Sequence, residues 1–329
     1  EFYTRARNAA GSYEAAPAAR DAAHGFDNAN PLSSVAVSGA YWRSASPLLL
    51  DGAASDALSG LAGVELWYRF SLDNATFGGW SNCGTDPASP WQWSFGWPDG
   101  AGYYEFYTRA RDAAGNYEAA PAAADARHAF DSTLPSSSVM VSGNYWRGTP
   151  SILLNATAAD ALSGVASAEL WHRFSADNAT FGAWTLYGTD AAAPWSWSFN
   201  WPNGAGYYEF YSRARDRAGN YEAAPAAADA RNAYDGTLPA SSVTVSNPYW
   251  RNAPGTIYAN ASSTLSPLTS VELWYRFSAN NATFGSWLLF GTDAAAPWSW
   301  SFGWPDGVGY YEFYTRARNA AGSYEAAPA

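Results

Sequence analysis

One block dominates the sequence: Tyr-Tyr-Glu-Phe-Tyr-Thr-Arg-Ala-Arg-Asp-Ala-Ala-Gly-Asn-Tyr-Glu-Ala-Ala-Pro, at 103–121. It returns at 207–225 and 310–328, and its tail opens the chain at 1–17. The leading Glu falls at Glu1, Glu105, Glu209 and Glu312, a period of 104, 104 and 103 residues. A period this long is a domain rather than a solenoid turn. The chain is therefore a tandem array, and its function must be one that copying a domain can serve.

A new copy opens at each Asp-x-x-x-Pro, beginning with Asp27, Asp131 and Asp235. The domains are then 27–130, 131–234 and 235–329, and residues 1–26 are the end strands of a preceding or neighbouring repeat. Inside a copy, apolar and polar residues alternate with period two between Gly, Pro, Asn and Ser turns. That pattern predicts an all-β, immunoglobulin-like (fibronectin III-like) sandwich of about seven strands. In the second copy the strands are expected at 137–142, 152–158, 166–175, 184–187, 195–201, 207–215 and 221–230. The last runs straight into the next copy, so the beads are strung on short linkers that restrict hinging.

All 18 Trp fall at six positions per copy, which makes Trp part of the scaffold. Trp195, Trp197, Phe199 and Trp201 alternate with small polar residues and give one sheet face its aromatic lining. The third and sixth strands carry matching outer triplets. Run antiparallel, Glu65, Trp67 and Arg69 face Arg109, Tyr107 and Glu105. The same ladder is expected from Glu169, Trp171, Arg173 with Glu209, Tyr211, Arg213, and from Glu272, Trp274, Arg276 with Glu312, Tyr314, Arg316. Cross-strand pairs of this kind contribute roughly 0.2–1 kcal/mol each.

Charged residues make up 14% of the chain, the net charge is −11, and all 18 basic residues are Arg. No basic patch for nucleic acid follows, and Lys chemistry is excluded. The single Cys83 can form no disulfide within the chain. No apolar run is long enough to span a membrane. No His, Cys and carboxylate cluster recurs, so no catalytic residues are assigned and an enzyme is not expected. Asp112-Ala-Ala-Gly-Asn116 is a hairpin turn. A calcium site is the sharper reading of those oxygens, but Asn8 and Asn319 replace the Asp in two copies, so no metal or cofactor is assigned.

Five Asn-x-Ser/Thr sequons mark N-glycan sites at Asn74, Asn155, Asn178, Asn260 and Asn281; Asn74, Asn178 and Asn281 occupy one loop in register. Tyr-Trp-Arg at Trp42, Trp146 and Trp250 lies between the first two strands, where it can hold a sugar ring, cap the sandwich or stiffen the domain junction; the short linker favours the junction.

Residues 1–18 and 312–329 are identical, whereas the internal copies differ. A higher period of 311 residues accounts for this, and the third copy then takes its last strand from a continuing polypeptide or from a second copy of the chain. Either route is head-to-tail and non-closing.

Ser-Gly-x-x-x-x-Glu-Leu-Trp-x-Arg-Phe-Ser, Gly-Thr-Asp-x-x-x-Pro-Trp-x-Trp-Ser-Phe and the opening block together resemble tandem immunoglobulin-like repeats of prokaryotic, especially archaeal, surface proteins. The resemblance covers nearly the whole chain. It implies an extracellular location, frequent glycosylation, and a stalk, surface-layer or filament role, with no catalytic residues. The leading expectation is a structural filament, sheath or surface layer whose partner is itself. The second is an adhesin or carbohydrate-binding stalk.

Overall fold

The computed structural model of the chain describes residues 1–245 and 249–327. Pro328 and Ala329, the end of the last block, lie outside the described residues. Among the described residues every regular element is a strand. Repeat 1 holds β1 (Leu32–Ala36), β2 (Trp42–Arg43), β3 (Leu48–Ser55), β4 (Leu61–Ser71), β5 (Ser81–Asp86), β6 (Gln92–Phe95), β7 (Gly102–Asp112) and β8 (Ala126–Phe130). Repeat 2 copies them as β9 (Ser136–Val141), β10 (Trp146–Arg147), β11 (Ile152–Ala159), β12 (Val165–Ser175), β13 (Thr185–Asp190), β14 (Ser196–Phe199), β15 (Gly206–Asp216) and β16 (Ala230–Tyr234). Repeat 3 has β17 (Ala240–Val245), β18 (Gly255–Ser262), β19 (Leu268–Ser278), β20 (Leu288–Asp293), β21 (Ser299–Phe302) and β22 (Tyr310–Asn319).

Two sheets face each other in each repeat. In repeat 1 a three-stranded sheet, β1-β3-β6, packs on a five-stranded one, β2-β8-β7-β4-β5. Repeat 2 has the same pair, β14-β11-β9 and β10-β16-β15-β12-β13. In repeat 3 the second sheet has three strands, β20-β19-β22. The chain is thus all-β, a tandem series of immunoglobulin-like sandwiches.

The described residues fall into two compact units. One holds residues Glu1–Thr133 with the loops Asp160–Gly164 and Asp216–Asn220; the sheets of repeats 2 and 3 belong to the other.

The last strand differs from the sequence expectation. Tyr221 makes only an isolated bridge to Arg215. The strand proper begins at Ala230, because the Ala/Pro-rich run 223–228 between them offers neither alternation nor β-branched residues.

The cores are aromatic. In repeat 2, Leu154, Leu170, Phe199, Tyr208 and Phe210 are almost completely buried. Phe199 packs edge-on against Trp201, Tyr208 and Phe210 at 4.9–5.5 Å between ring centres, the geometry that ring quadrupoles favour. Trp201 closes the end of this core from a left-handed backbone position, φ 53°, as do Trp97 and Trp304 at 56°. A bulky side chain there costs about 1–3 kcal/mol. Its indole N–H is anchored in return, donating to the Thr149 carbonyl at 2.9 Å.

Candidate functional site

The strand register places the outer triplets face to face. Glu65 lies opposite Arg109, Trp67 opposite Tyr107 and Arg69 opposite Glu105. Repeat 3 aligns Glu272, Trp274 and Arg276 with Arg316, Tyr314 and Glu312. The central rung is a parallel stack in all three repeats, Trp67 on Tyr107, Trp171 on Tyr211 and Trp274 on Tyr314, at 5.8–6.0 Å. One end rung is an ion pair: Arg69 to Glu105, Arg173 to Glu209, Arg276 to Glu312, each at 2.5 Å.

The other end rung is built differently from the expected Glu–Arg pair. Glu65, Glu169 and Glu272 accept the indole N–H of the Trp two residues on, at 2.9–3.0 Å. Arg109, Arg213 and Arg316 turn to the main chain, donating to the carbonyls of Glu118, Glu222 and Glu325. Their guanidinium groups lie over Tyr117, Tyr221 and Tyr324 at 4.5–4.8 Å. Arg111, Arg215 and Arg318 approach the same rings at 5.1–5.3 Å. One ring thus sits under two cations, which replaces the expected carboxylate partner.

The ladder is covered. Trp80, Trp184 and Trp287 pack edge-on against its Tyr at 4.4–4.6 Å. The same indoles stack on Arg69, Arg173 and Arg276 at 4.6 Å. Tyr107 and Tyr211 are consequently 5% exposed. The ladder's Trp67, Trp171 and Trp274, and Tyr314 in repeat 3, are half-buried.

The carboxylates at the start of a copy converge with those of two later turns, at 56–60 and 112–116 in repeat 1 and at 160–164 and 216–220 in repeat 2. Asp27, Asp56 and Asp112 bring oxygens within 4.8 Å of one another, and so do Asp131, Asp160 and Asp216. Backbone amides hold them: Asp131 accepts from Thr133 and Ser163, and Asp216 from Gly219 and Asn220. Burial pushes the Asp131 carboxyl up, yet hydrogen bonds from the side chains and then the backbone amides of Thr133 and Ser163 more than offset it and leave it below the ordinary range. Such oxygens suit a hard divalent cation. At the matching positions of repeat 3 stand Asp235, Ser263 and Asn319, and the Asn319 amide approaches Asp235 at 3.4 Å. Two of three negative charges are absent there. The convergence escapes the sequence because its members lie 29 to 85 residues apart.

All five sequon asparagines are exposed. Asn74, Asn178 and Asn281 sit at the tip of the turn after β4, β12 and β19, with φ 59–60°. Asn155 and Asn260 lie on the solvent face of β11 and β18.

The Tyr-Trp-Arg segments cap their own sandwich. Trp42 packs on Tyr103 at 5.3 Å, Trp146 on Tyr207 at 5.4 Å and Trp250 on Tyr310 at 5.6 Å. In repeats 1 and 2 the segment also pairs, parallel, with the last strand. Gly148, just after Arg147, lies against repeat 3; a Cβ there would stand 2.8 Å from the Ala321 carbonyl oxygen.

Consecutive residues link one copy to the next. Phe130 stacks on Trp97 at 5.1 Å, and the following residue, Asp131, is fully buried and holds the Ser163 amide at 2.9 Å. Tyr234 stacks on Trp201 at 5.1 Å, and Asp235, likewise fully buried, holds the Ser266 amide at 2.9 Å. No free linker residue separates the last strand of a sandwich from the first anchor of the next.

Among the described residues, repeat 3 keeps the same rings with no counterpart of the strand that covers them. A groove of about 470 Å³ opens between Val245, Tyr249, Trp250, Trp304, Tyr310 and Phe313. Tyr249 and Trp250 are 74% and 65% exposed.

A scan against protein-family models finds no match, and a search of curated proteins finds none. Among solved structures the chain is similar to the fibronectin(III)-like modules of Clostridium thermocellum CbhA (12% identity, 62% of this chain and 92% of that one, TM-score 0.33). It is also similar to a tetra-tandem repeat from the extending region of a large adhesion protein (16% identity, 97% and 77%, TM-score 0.32). A third likeness is to the chicken CNTN1 FN1–FN3 domains (11% identity, 89% and 95%, TM-score 0.27). Among the described residues no helix is long and apolar enough to cross a membrane.

Proposed function

We propose that this chain is a structural element of an extracellular filament, sheath or surface layer, built by repeating immunoglobulin-like sandwiches end to end. The observation that carries this reading is the absence of any slack residue between Phe130 and Asp131 and between Tyr234 and Asp235. Copies strung through flexible linkers serve to present binding sites; copies joined through consecutive anchored residues serve to transmit position and load. The closed aromatic ladder on the outer face supports the same reading, since rings stacked on their own neighbours are not displayed to a ligand. The exposed sequons at Asn74, Asn178 and Asn281 suit N-glycans spaced along such an assembly, and the Asp131 and Asp27 clusters are where a calcium ion would fit by donor type.

The test is electron microscopy of native material from the source cells. The reading expects continuous filaments or layers with a sandwich-sized repeat along the chain direction. Isolated stalks ending in a free tip would contradict it and favour an adhesin or carbohydrate-binding role.

A further inference from the structure

The two sheets of each sandwich differ in charge. Across the sheets β1-β3-β6, β14-β11-β9 and β17-β18-β21, Asp51 is the single charged residue, and the Gln92 amide donates to it at 2.8 Å. In the opposing sheet of repeat 1, β4 and β7 alone carry Glu65, Arg69, Glu105, Arg109, Arg111 and Asp112. The chain's net charge of −11 therefore lies off the first set of sheets.

Their outer faces are not featureless. On β11, Ile152 and Leu154 point into the core, and Leu153, Asn155, Thr157 and Ala159 point to solvent. Leu153 lies opposite Ser198, and Asn155 between Ser196 and Met140. Further along, Thr157 lies opposite Ser138 and Ala159 opposite Ser136. One half of the face is thus raised by Leu153 and Met140, 57% and 58% exposed, and the other half is low. Repeat 3 has the same step. Tyr258 is 48% exposed, and beyond it Asn260 lies opposite Ser242 and Ser262 opposite Ala240. Repeat 1 exposes Leu49 and Leu32 on the matching face. Single exposed apolar residues are ordinary. Their return on one uncharged face in every copy marks a contact surface.

We propose that this outer face in repeats 2 and 3 docks on the same face of a second copy of the chain, about a two-fold axis. The two-fold lays Leu153 and Met140 of one copy over the low Thr157–Ala159 half of the other, and the reverse. Charge selects the same occupant. Facing sheets stand about 10 Å apart, comparable with the screening length of about 8 Å at physiological salt. Two acidic chains therefore repel least where neither carries charge. Area selects a repeated partner. Three strands about 4.8 Å apart, with about 3.4 Å per residue, give roughly 350 Å² per face. A stable interface takes roughly 800 Å² from each partner. One face falls short, and copying it supplies the rest. The proposal rests on the sheath or layer reading for its purpose, since it supplies the sideways contact, but it needs no end-to-end joint. Asn155 and Asn260 fall inside the contact and stay without glycan, whereas Asn74, Asn178 and Asn281 lie on turns outside it.

The experiment is analytical ultracentrifugation of an isolated polypeptide of residues 1–329 over a concentration series. The test variant is Leu153→Glu with Tyr258→Glu. The control is Leu186→Glu with Leu289→Glu, at positions 44% and 48% exposed on β13 and β20 of the other sheet. All four side chains are exposed, so each fold stays intact, which circular dichroism verifies. The proposal expects reversible association, weakened at least roughly tenfold by the test pair, which sets like charges facing across the two-fold, and unchanged by the control pair. A polypeptide that stays monomeric across the series would overturn the contact and leave the end-to-end reading standing. So would association that the test pair does not weaken, or that the control pair weakens equally. Glycopeptide mass spectrometry of native material gives an independent arm: bare Asn155 and Asn260 are expected, and a glycan on either would overturn the contact.

Discussion

Repeats 2 and 3 hold nearly the same rings but bury them to different depths. Tyr208, Phe210 and Trp201 are 1%, 0% and 4% exposed in repeat 2, whereas Tyr311, Phe313 and Trp304 are only half-buried in repeat 3. The Glu209 side chain is 3% exposed and lies between Arg173 and Arg231; the Glu312 side chain is 45% exposed and pairs with Arg276. Repeat 2 has β16 and β10 on its second sheet, and repeat 3 has no counterpart of either among the described residues. A single short strand therefore converts an aromatic half-core into a core. The sandwich is a unit whose last five residues decide how much of its aromatic content is worth.

The sharpest way to break this comparison is a matched pair of truncations. Phe210→Ala in repeat 2 is expected to cost about 3–5 kcal/mol, the range for a fully buried ring. Phe313→Ala in an isolated chain should cost clearly less, since part of that ring already meets water. Urea unfolding monitored by Trp fluorescence distinguishes them; equal losses would mean that β16 contributes no burial.

A smaller contrast is expected from the carboxylates. Glu209→Gln removes a charge that accepts from two guanidinium groups in a buried place and should cost about 1–3 kcal/mol. Glu312→Gln, half-exposed, should cost under about 1 kcal/mol. Thermal unfolding of the two variants checks the order, and a reversal would show that Arg231 adds nothing.

His172 replaces Tyr68 and Tyr275 in the core, and burial pushes its imidazole below the ordinary value of 6.5. With the folded value depressed, the unfolded chain takes the proton first. The stability of repeat 2 is therefore full above pH 6.5 and is lost as pH falls toward the folded value. His172→Tyr should flatten that slope below pH 6.5 without affecting repeat 3. A slope unchanged in the variant would place the titration elsewhere.

The least effect is expected in the turns after β4 and β12. Asp73 and Asp177 accept two backbone amides each, from Thr76 and Ala75 and from Thr180 and Ala179, which lowers their carboxyls to about 2. Asn280 takes the same bonds in repeat 3 without titrating. Protection of these two turns in hydrogen exchange should hold above pH 3.8 and fade as pH drops toward about 2, and Asp177→Asn should abolish the fading.

Much of this was legible in the residues. The period, the all-β class and the facing of Trp67 on Tyr107 follow from alternation and repetition, which are local and redundant. The partners of Arg109 and Glu65 were not legible. Register puts them opposite each other, but Tyr117 and the Trp67 indole compete for them more closely, and that competition is decided by side-chain reach. The Asp clusters were hidden for a related reason: each Asp reads as a turn residue alone, and only the closing of the sandwich brings three together. The start of β16 was misplaced because Tyr221 looks like a strand residue, whereas its ring is held as a cover for Arg213 and Arg215.

The most direct measurement is hydrogen exchange by mass spectrometry at residues 310–313, compared between native assemblies and an isolated polypeptide of residues 1–329. If a strand from beyond these residues completes the third sandwich, those amides are slow in the assembly, as 207–210 are in repeat 2, and fast in the isolated polypeptide. Identical exchange in the two states would contradict the account.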